Sequence, residues 1–397
     1  MTRSTQLLAG GKPTAGGAAA AGGWSPAGDL PSARQWFSAG ESAVPLNDGS
    51  VLAAGGAVLR GKATDESLLF DPAAGEWTQT GKLTTGRLSH TLTKLDDGRV
   101  LAVGGMPETN RSPFTFLRTA EIYDPGERTW TPVAEMGTAR SLHSATLLAD
   151  GRVLVTGGTG YQKPGVLRTF RTAELYDPVK NIWTDVAPMT DARLAHPAIR
   201  LPDGRVLAVG GETGIDQYRG IGQSFCELYD PVAGRWTPTG SMHVPRRNHQ
   251  AVLLPDGSVF VAGGDGPGII TERRLAPHSQ WRTERYDPAT GFWSPGRNMP
   301  TGRTFHRMVA LPAGKVLVVG GTDAATYDVG YANAAVYDPL AQTWAPTGGM
   351  TTGRFYCSAT ALADGRVLAA GGTVRAGSAN PARGQDLLTA TTEIFTL

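Results

Sequence analysis

The segment HSATLLADGRVLVTGG, residues 143–158, followed by AELYDPVKNIW, residues 173–183, decides the fold. Residues 143–148 form a short run of apolar and small side chains, stopped by Asp150-Gly151, a pair that marks a two-residue hairpin turn. Residues 152–156 return as a second strand ending at Gly157-Gly158. After a variable loop, residues 173–176 form a third strand, closed by Asp177-Pro178. Proline offers no ladder donor, so a strand cannot run through it. Trp183 begins a fourth. The spacing predicts four short antiparallel strands with a large aromatic on each outer strand.

The unit recurs. Gly55-Gly56, Gly104-Gly105, Gly157-Gly158, Gly210-Gly211, Gly263-Gly264, Gly320-Gly321 and Gly371-Gly372 lie 49 to 57 residues apart, a period that signals a radial array of repeats. Phe70, Tyr123, Tyr176, Tyr229, Tyr286 and Tyr337 precede Asp-Pro, and Trp77, Trp130, Trp183, Trp236, Trp293 and Trp344 follow it. These aromatics are expected to fill the wedges between blades. The last repeat ends at Thr392-Glu393-Ile394-Phe395 with no tryptophan strand after it, whereas Trp24-Ser25-Pro26 resembles Trp130-Thr131-Pro132. The N-terminal segment is therefore expected to supply the outer strand of the seventh blade and to remove two exposed sheet edges. The expected fold is all-β: a seven-bladed β-propeller spanning residues 24–397, with residues 1–23 a flexible Gly/Ala-rich tail.

Bulk composition narrows function mainly by exclusion. The 397 residues include 53 Gly and 27 Pro, which suit tight turns and not long helices. The net charge of +2, without a Lys/Arg run, carries no nucleic-acid footprint. No apolar run approaches a membrane span. Residues 1–23 lack the apolar core of a secretory leader, so a cytoplasmic monomer is the default expectation. Cys226 and Cys357 are too few for a disulfide framework.

The recurring Asp-Gly-Arg-Val-Leu, Gly-Gly, Glu-x-Tyr-Asp-Pro and Trp resemble the kelch-repeat superfamily, in detail its bacterial, galactose-oxidase-like branch. The resemblance implies the propeller and leaves function open, since such propellers serve as enzymes, adaptors and ligand binders. That branch's copper radical oxidases use two tyrosines, two histidines and a cysteine crosslinked to one tyrosine. Here Tyr356 matches a tyrosine ligand, but Cys357 stands in the adjacent histidine's place. Ser89 replaces the crosslinked tyrosine and Gly40 the crosslinking cysteine. The copper site is thus expected not to be retained.

The loops after each Gly-Gly are long, and loops gathered over a central channel form the default ligand face. They carry Phe114, Phe116, Tyr161, Tyr218, His278, Trp281, Tyr327 and Tyr331. Eight residues before each hairpin glycine sit His90, His143, His196, His249 and His306. A residue repeated this often reads as architectural, its ring bonding the backbone of the neighbouring blade. Glu41 and Cys357 break the rule in blades 1 and 7, which ring closure makes neighbours. With a nearby histidine they offer donors for a transition metal (copper, iron or zinc) or a nucleophile.

Three residues before each histidine stands an arginine: Arg87, Arg140, Arg193, Arg246 and Arg303, with Arg354 matching in blade 7. Glu121, Glu174, Glu227, Glu284 and Glu393 are their expected partners within a blade. Blade 1 carries Ser38 and Leu68 at these places, and blade 6 pairs Arg303 with Ala335. Arg303 is therefore a candidate to hold an anionic group, unless a loop supplies its partner. Polar bulk at Asn248, Gln250, Phe305, Arg307 and Tyr356 leans the pocket toward blades 5, 6, 7 and 1.

The leading expectation is capture of a small organic or peptide ligand, with Arg246, Asn248, Arg303, Phe305, Arg307, Tyr161, Tyr218 and His278 as binding residues. The alternative is a metal-dependent or acid–base enzyme (oxidase, isomerase or lyase type) using Tyr356, Cys357, Glu41 and His306. A protein–protein scaffold is the third reading.

Overall fold

Every Gly-Gly unit folds as one four-stranded antiparallel sheet, and seven such sheets form the ring of a β-propeller. The computed structural model describes residues 22–36, 43–109, 113–214, 221–266, 270–271, 274–275, 278–326, 328–376 and 386–397. Blade 3 shows the pattern with strands Ser144–Leu147, Val153–Thr156, Ala173–Asp177 and Ile182–Val186. Blade 1 begins at Ala43–Pro45 and blade 6 ends at Thr343–Pro346. Blade 7 takes three strands, Ser358–Ala361, Val367–Ala370 and Thr392–Thr396, from the C-terminal end, and its fourth, Gly23–Ala27, from the N-terminal end. Trp24 pairs with Phe395 as Trp130 pairs with Tyr123. The expected closure is present.

Turn chemistry sets the registers. In blade 3 the hairpin is one residue longer than expected: Leu148 N–H donates to Arg152 O, so Ala149, Asp150 and Gly151 make the loop. Gly151 adopts φ 81° there, the left-handed residue that a three-residue hairpin loop requires. At the other turn, Asp177 Oδ1 accepts the backbone N–H groups of Val179 and Lys180, which fixes the bend before proline ends the strand.

The core is divided into seven seams. Side chains of each second strand alternate between its two neighbours: Leu52 and Ala54 of blade 1 pack with Val100 and Ala102 of blade 2, while Val51 and Ala53 pack with Leu368 and Ala370 of blade 7. The strand is buried on both faces, so it reads Val-Leu-Ala-Ala with no polar alternation. Each outer tryptophan lies against the aromatic of the third strand, with centroids 4.9–5.3 Å apart in all seven blades. Several also reach the next blade: Trp130 Nε1 donates to Ser67 Oγ and Trp77 Nε1 to Thr392 Oγ1. Among the described residues, no helix is long and apolar enough to cross a membrane.

Candidate functional site

The arginine layer is architectural. Arg87, Arg140, Arg193, Arg246 and Arg354 have no solvent exposure, and each forms an ion pair of 2.6–2.9 Å with the glutamate of its own blade. The same guanidinium donates to the first carbonyl of the Gly-Gly pair, as Arg246 does to Gly263 O. The glutamate's remaining capacity binds the incoming linker: Glu284 accepts from the backbone of His243 and Val244. Arg246 therefore sits inside blade 5 as a strut. Arg303 receives a loop partner, donating to Asn333 O and Oδ1 and to Gly320 O, which cancels the argument for it as an anion anchor. Burial without a carboxylate lowers its pKa to about 10.

Blade 1 corrects one expectation. Its arginine is Arg34, not missing at Ser38, and its acid is Glu66, 2.6 Å away, in place of Leu68. Four extra residues separate Arg34 from its strand compared with the other blades, which displaced the count. Consequently Trp36 takes the place held elsewhere by the histidine. Its indole lies over Gly371, as the His90 ring lies over Gly55, and its Nε1 donates to Ala54 O. Glu41 falls outside the described residues.

The histidines are buried in the walls between blades, but the hydrogen bonds of His143 and His196 go to threonine hydroxyls and not to the backbone that was expected. His143 Nε2 pairs with Thr91 Oγ1 and His196 Nε2 with Thr156 Oγ1, each 3.1 Å across a blade boundary. His249 and His306 face the backbone of Val209 and Ala262. Burial holds all five neutral, with His90 lowered to about 3. Cys357 occupies the same place in blade 7; it is fully buried, its sulfur toward Gly320, and burial pushes its thiol up.

Immediately before these residues, the chain makes an unusual turn. Ser89, Leu142, Ala195, Asn248, Phe305 and Tyr356 all adopt φ between 49° and 54°, a left-handed conformation that costs a non-glycine residue about 1–2 kcal/mol. A belt of backbone hydrogen bonds holds them around the channel mouth. Leu142 N–H donates to Ser89 O, Ala195 to Leu142, Phe305 to Asn248, Tyr356 to Phe305, and Trp36 to Tyr356. The belt aims this position of six blades, with Trp36 from blade 1, into one cavity of ≈ 570 Å³.

The cavity has two unlike sides. On blades 6, 7 and 1 it is mainly aromatic: Phe305 and Tyr356 rings lie 4.2 Å apart, flanked by Phe355 and Trp36, with Arg307 and Asp386 as the charged members and Asp386 accepting from Gln35 Nε2. On blades 4 and 5 it is ionic. Arg247 reaches Glu212 at 3.0 Å and Asp265 at 2.9 Å, and Asp265 also accepts from Asn248 Nδ2 and Thr304 Oγ1. Burial raises the pKa of Glu212 against the opposing pull of Arg247. Neither acid was among the sequence candidates. The available signal was their place directly after Gly-Gly, where the other blades carry Ala57, Met106, Thr159, Thr322 and Thr373.

Of the named candidates, Asn248, Gln250, Phe305, His306, Arg307 and Tyr356 meet in this cavity. Arg307 is anchored there by Nε donating to Cys357 O. Phe114 joins them from a loop, whereas Tyr161 lies apart in a separate cleft with Arg168 and Phe170. Tyr218, Tyr327 and the side chain of His278 are outside the described residues. Among the described residues no three His, Cys, Asp or Glu side chains converge on a metal position. With Cys357 walled in and Ser89 at the mouth, these residues do not fit a copper radical centre.

Comparison with known proteins agrees with the architecture. The Kelch motif family matches residues 95–137 and 140–190. Kelch-like protein 36 of Rattus norvegicus is 25% identical over 262 residues, 65% of this chain and 40% of the relative. Kelch-like protein 35 of Mus musculus is 28% identical over 195 residues, 49% and 29% of the two chains. The chain thus spans at most about 40% of the length of these relatives. A solved structure described as a novel fungal alcohol oxidase of the AA5 family, in complex with copper, superposes with a TM-score of 0.70. The match covers 94% of this chain and 76% of that one at 20% identity, a likeness of fold.

Proposed function

Since the chain belongs to the kelch-repeat β-propeller superfamily, we propose that it is a binding module whose channel-mouth cavity captures a small organic molecule or a single peptide side chain. One observation carries this reading: six non-glycine residues, one from each of six blades, are held in a strained left-handed conformation, all lining the same cavity. Strain of this kind persists where surrounding structure over-determines it, and it clusters at ligand sites. The wedges themselves need no such side-chain variety, because the seams are filled by the second strands and the aromatic pairs. A volume of ≈ 570 Å³ with an apolar wall and a few convergent polar groups matches ordinary small-molecule sites.

The test is a fragment screen by ligand-observed NMR on the wild type and on Leu142→Trp, which fills the cavity from blade 3. Fragments that bind the wild type and are lost in the variant support the reading. An empty screen, or fragments indifferent to the substitution, overturns it.

A further inference from the structure

We propose that the cavity selects ligands with an aromatic ring and a cationic nitrogen head, the head seated at Glu212; this rests on the small-ligand reading above. Glu212 uses one of its two carboxylate oxygens in its ion pair. The residue is 7% exposed and lines the cavity, and its Oε1 faces Arg247 Nη1 at 3.0 Å. Oε2 has no hydrogen-bond partner among the described residues, and the side chain keeps some exposure while lining the cavity, so this oxygen is open to a donor that enters there. A largely buried carboxylate gains from such a donor.

The surroundings set the charge of that donor. Among the described residues on this side, Arg247 faces two carboxylates, Glu212 and Asp265, an arrangement richer in acid than in base. Asp265 is already held by Arg247, Asn248 and Thr304. Glu212 is the member open to the cavity. Arg307 stands across the mouth on blade 6, fixed to Cys357 O, and would lie near the ring end of a bound ligand and not its head.

The ring end follows from the blade order. Glu212 and Asp265, on blades 4 and 5, lie two or three steps around the ring from blades 7 and 1, where the one further acid of the described lining, Asp386, is engaged by Gln35. There Tyr356, Phe355 and Trp36, with Phe305 of neighbouring blade 6, present aromatic surface. A flat ring meets these faces in offset or edge contact. The cation then lies at the acid and within reach of aromatic faces, two arrangements that both favour positive charge.

Isothermal titration calorimetry with 2-phenylethylamine, 3-phenylpropionate and 2-cyclohexylethylamine tests the assignment. The expected order is the aromatic amine first, the saturated amine weaker, and the anion undetectable. Glu212→Gln should weaken 2-phenylethylamine by at least about tenfold, and Phe305→Ala should weaken it while leaving the salt dependence intact. If Glu212→Gln lowers the melting temperature, Glu212→Asp, which withdraws the charge by one methylene, reads the same contact. Binding of 3-phenylpropionate in preference to the amine would overturn the cationic assignment and leave the cavity a ligand site. Silence of all three probes together with an empty fragment screen would overturn both.

Discussion

Trp24 lies on Phe395 with ring centroids 5.3 Å apart, in strands that pair residue for residue from Gly23↔Thr396 to Ala27↔Thr392. This is the Trp130–Tyr123 pair of blade 2 rebuilt from the two ends of the chain. It makes the ring a closed belt, so its loss should be felt far from the termini.

Trp24→Ala is expected to cost about 2–3 kcal/mol, toward the low end for an aromatic truncation because Trp24 is only half-buried. Removing residues 24–32 should lower the stability of the whole ring. Urea denaturation followed by fluorescence checks both. A truncated protein with an unchanged midpoint would show that blade 7 does not depend on its fourth strand.

Acid should destabilise the fold well above the carboxylate range. The five wall histidines keep pKa values below the unfolded 6.5, with His90 near 3, because burial disfavours the charged ring. The unfolded chain therefore binds protons first as pH falls. Stability is complete above about pH 6.5 and is lost progressively toward pH 3, by up to about 1.4 kcal/mol per pH unit for each histidine. Unfolding free energies at pH 7.5 and 5.5 measure the slope. His143→Gln should flatten it by close to one proton; an unaltered slope would contradict the assignment.

Arg303 is the layer member whose blade offers no carboxylate: its Nη2 donates to Asn333 Oδ1 at 3.0 Å. Asn333→Asp keeps the geometry and adds the counter-charge, and it should stabilise the protein by about 1–2 kcal/mol. The converse change, Glu174→Gln, strands Arg140 and should cost about 3 kcal/mol. Thermal melts of the two variants should move in opposite directions. Movement in the same direction would mean that packing, not charge, governs the layer.

The architecture was legible because its causes are local. Asp-Gly, Gly-Gly, Asp-Pro and the tyrosine–tryptophan pair each act within a few residues, and their repetition counts the blades. The same periodicity placed the Arg140–Glu174 pairing and the histidine walls. It failed where the period slips: the four extra residues after Arg34 made Ser38 and Glu41 look equivalent to positions they do not occupy. The cavity was only half legible. Asn248, Phe305 and Tyr356 stood out as variable beside a constant histidine, but nothing local marked their left-handed backbone or set Glu212 across from Trp36. Those relations depend on where seven distant segments meet around one axis. Sequence determined the wedge and its number; closure of the ring decided which side chains share a cavity, because convergence is a property of the assembled circle and of no single repeat.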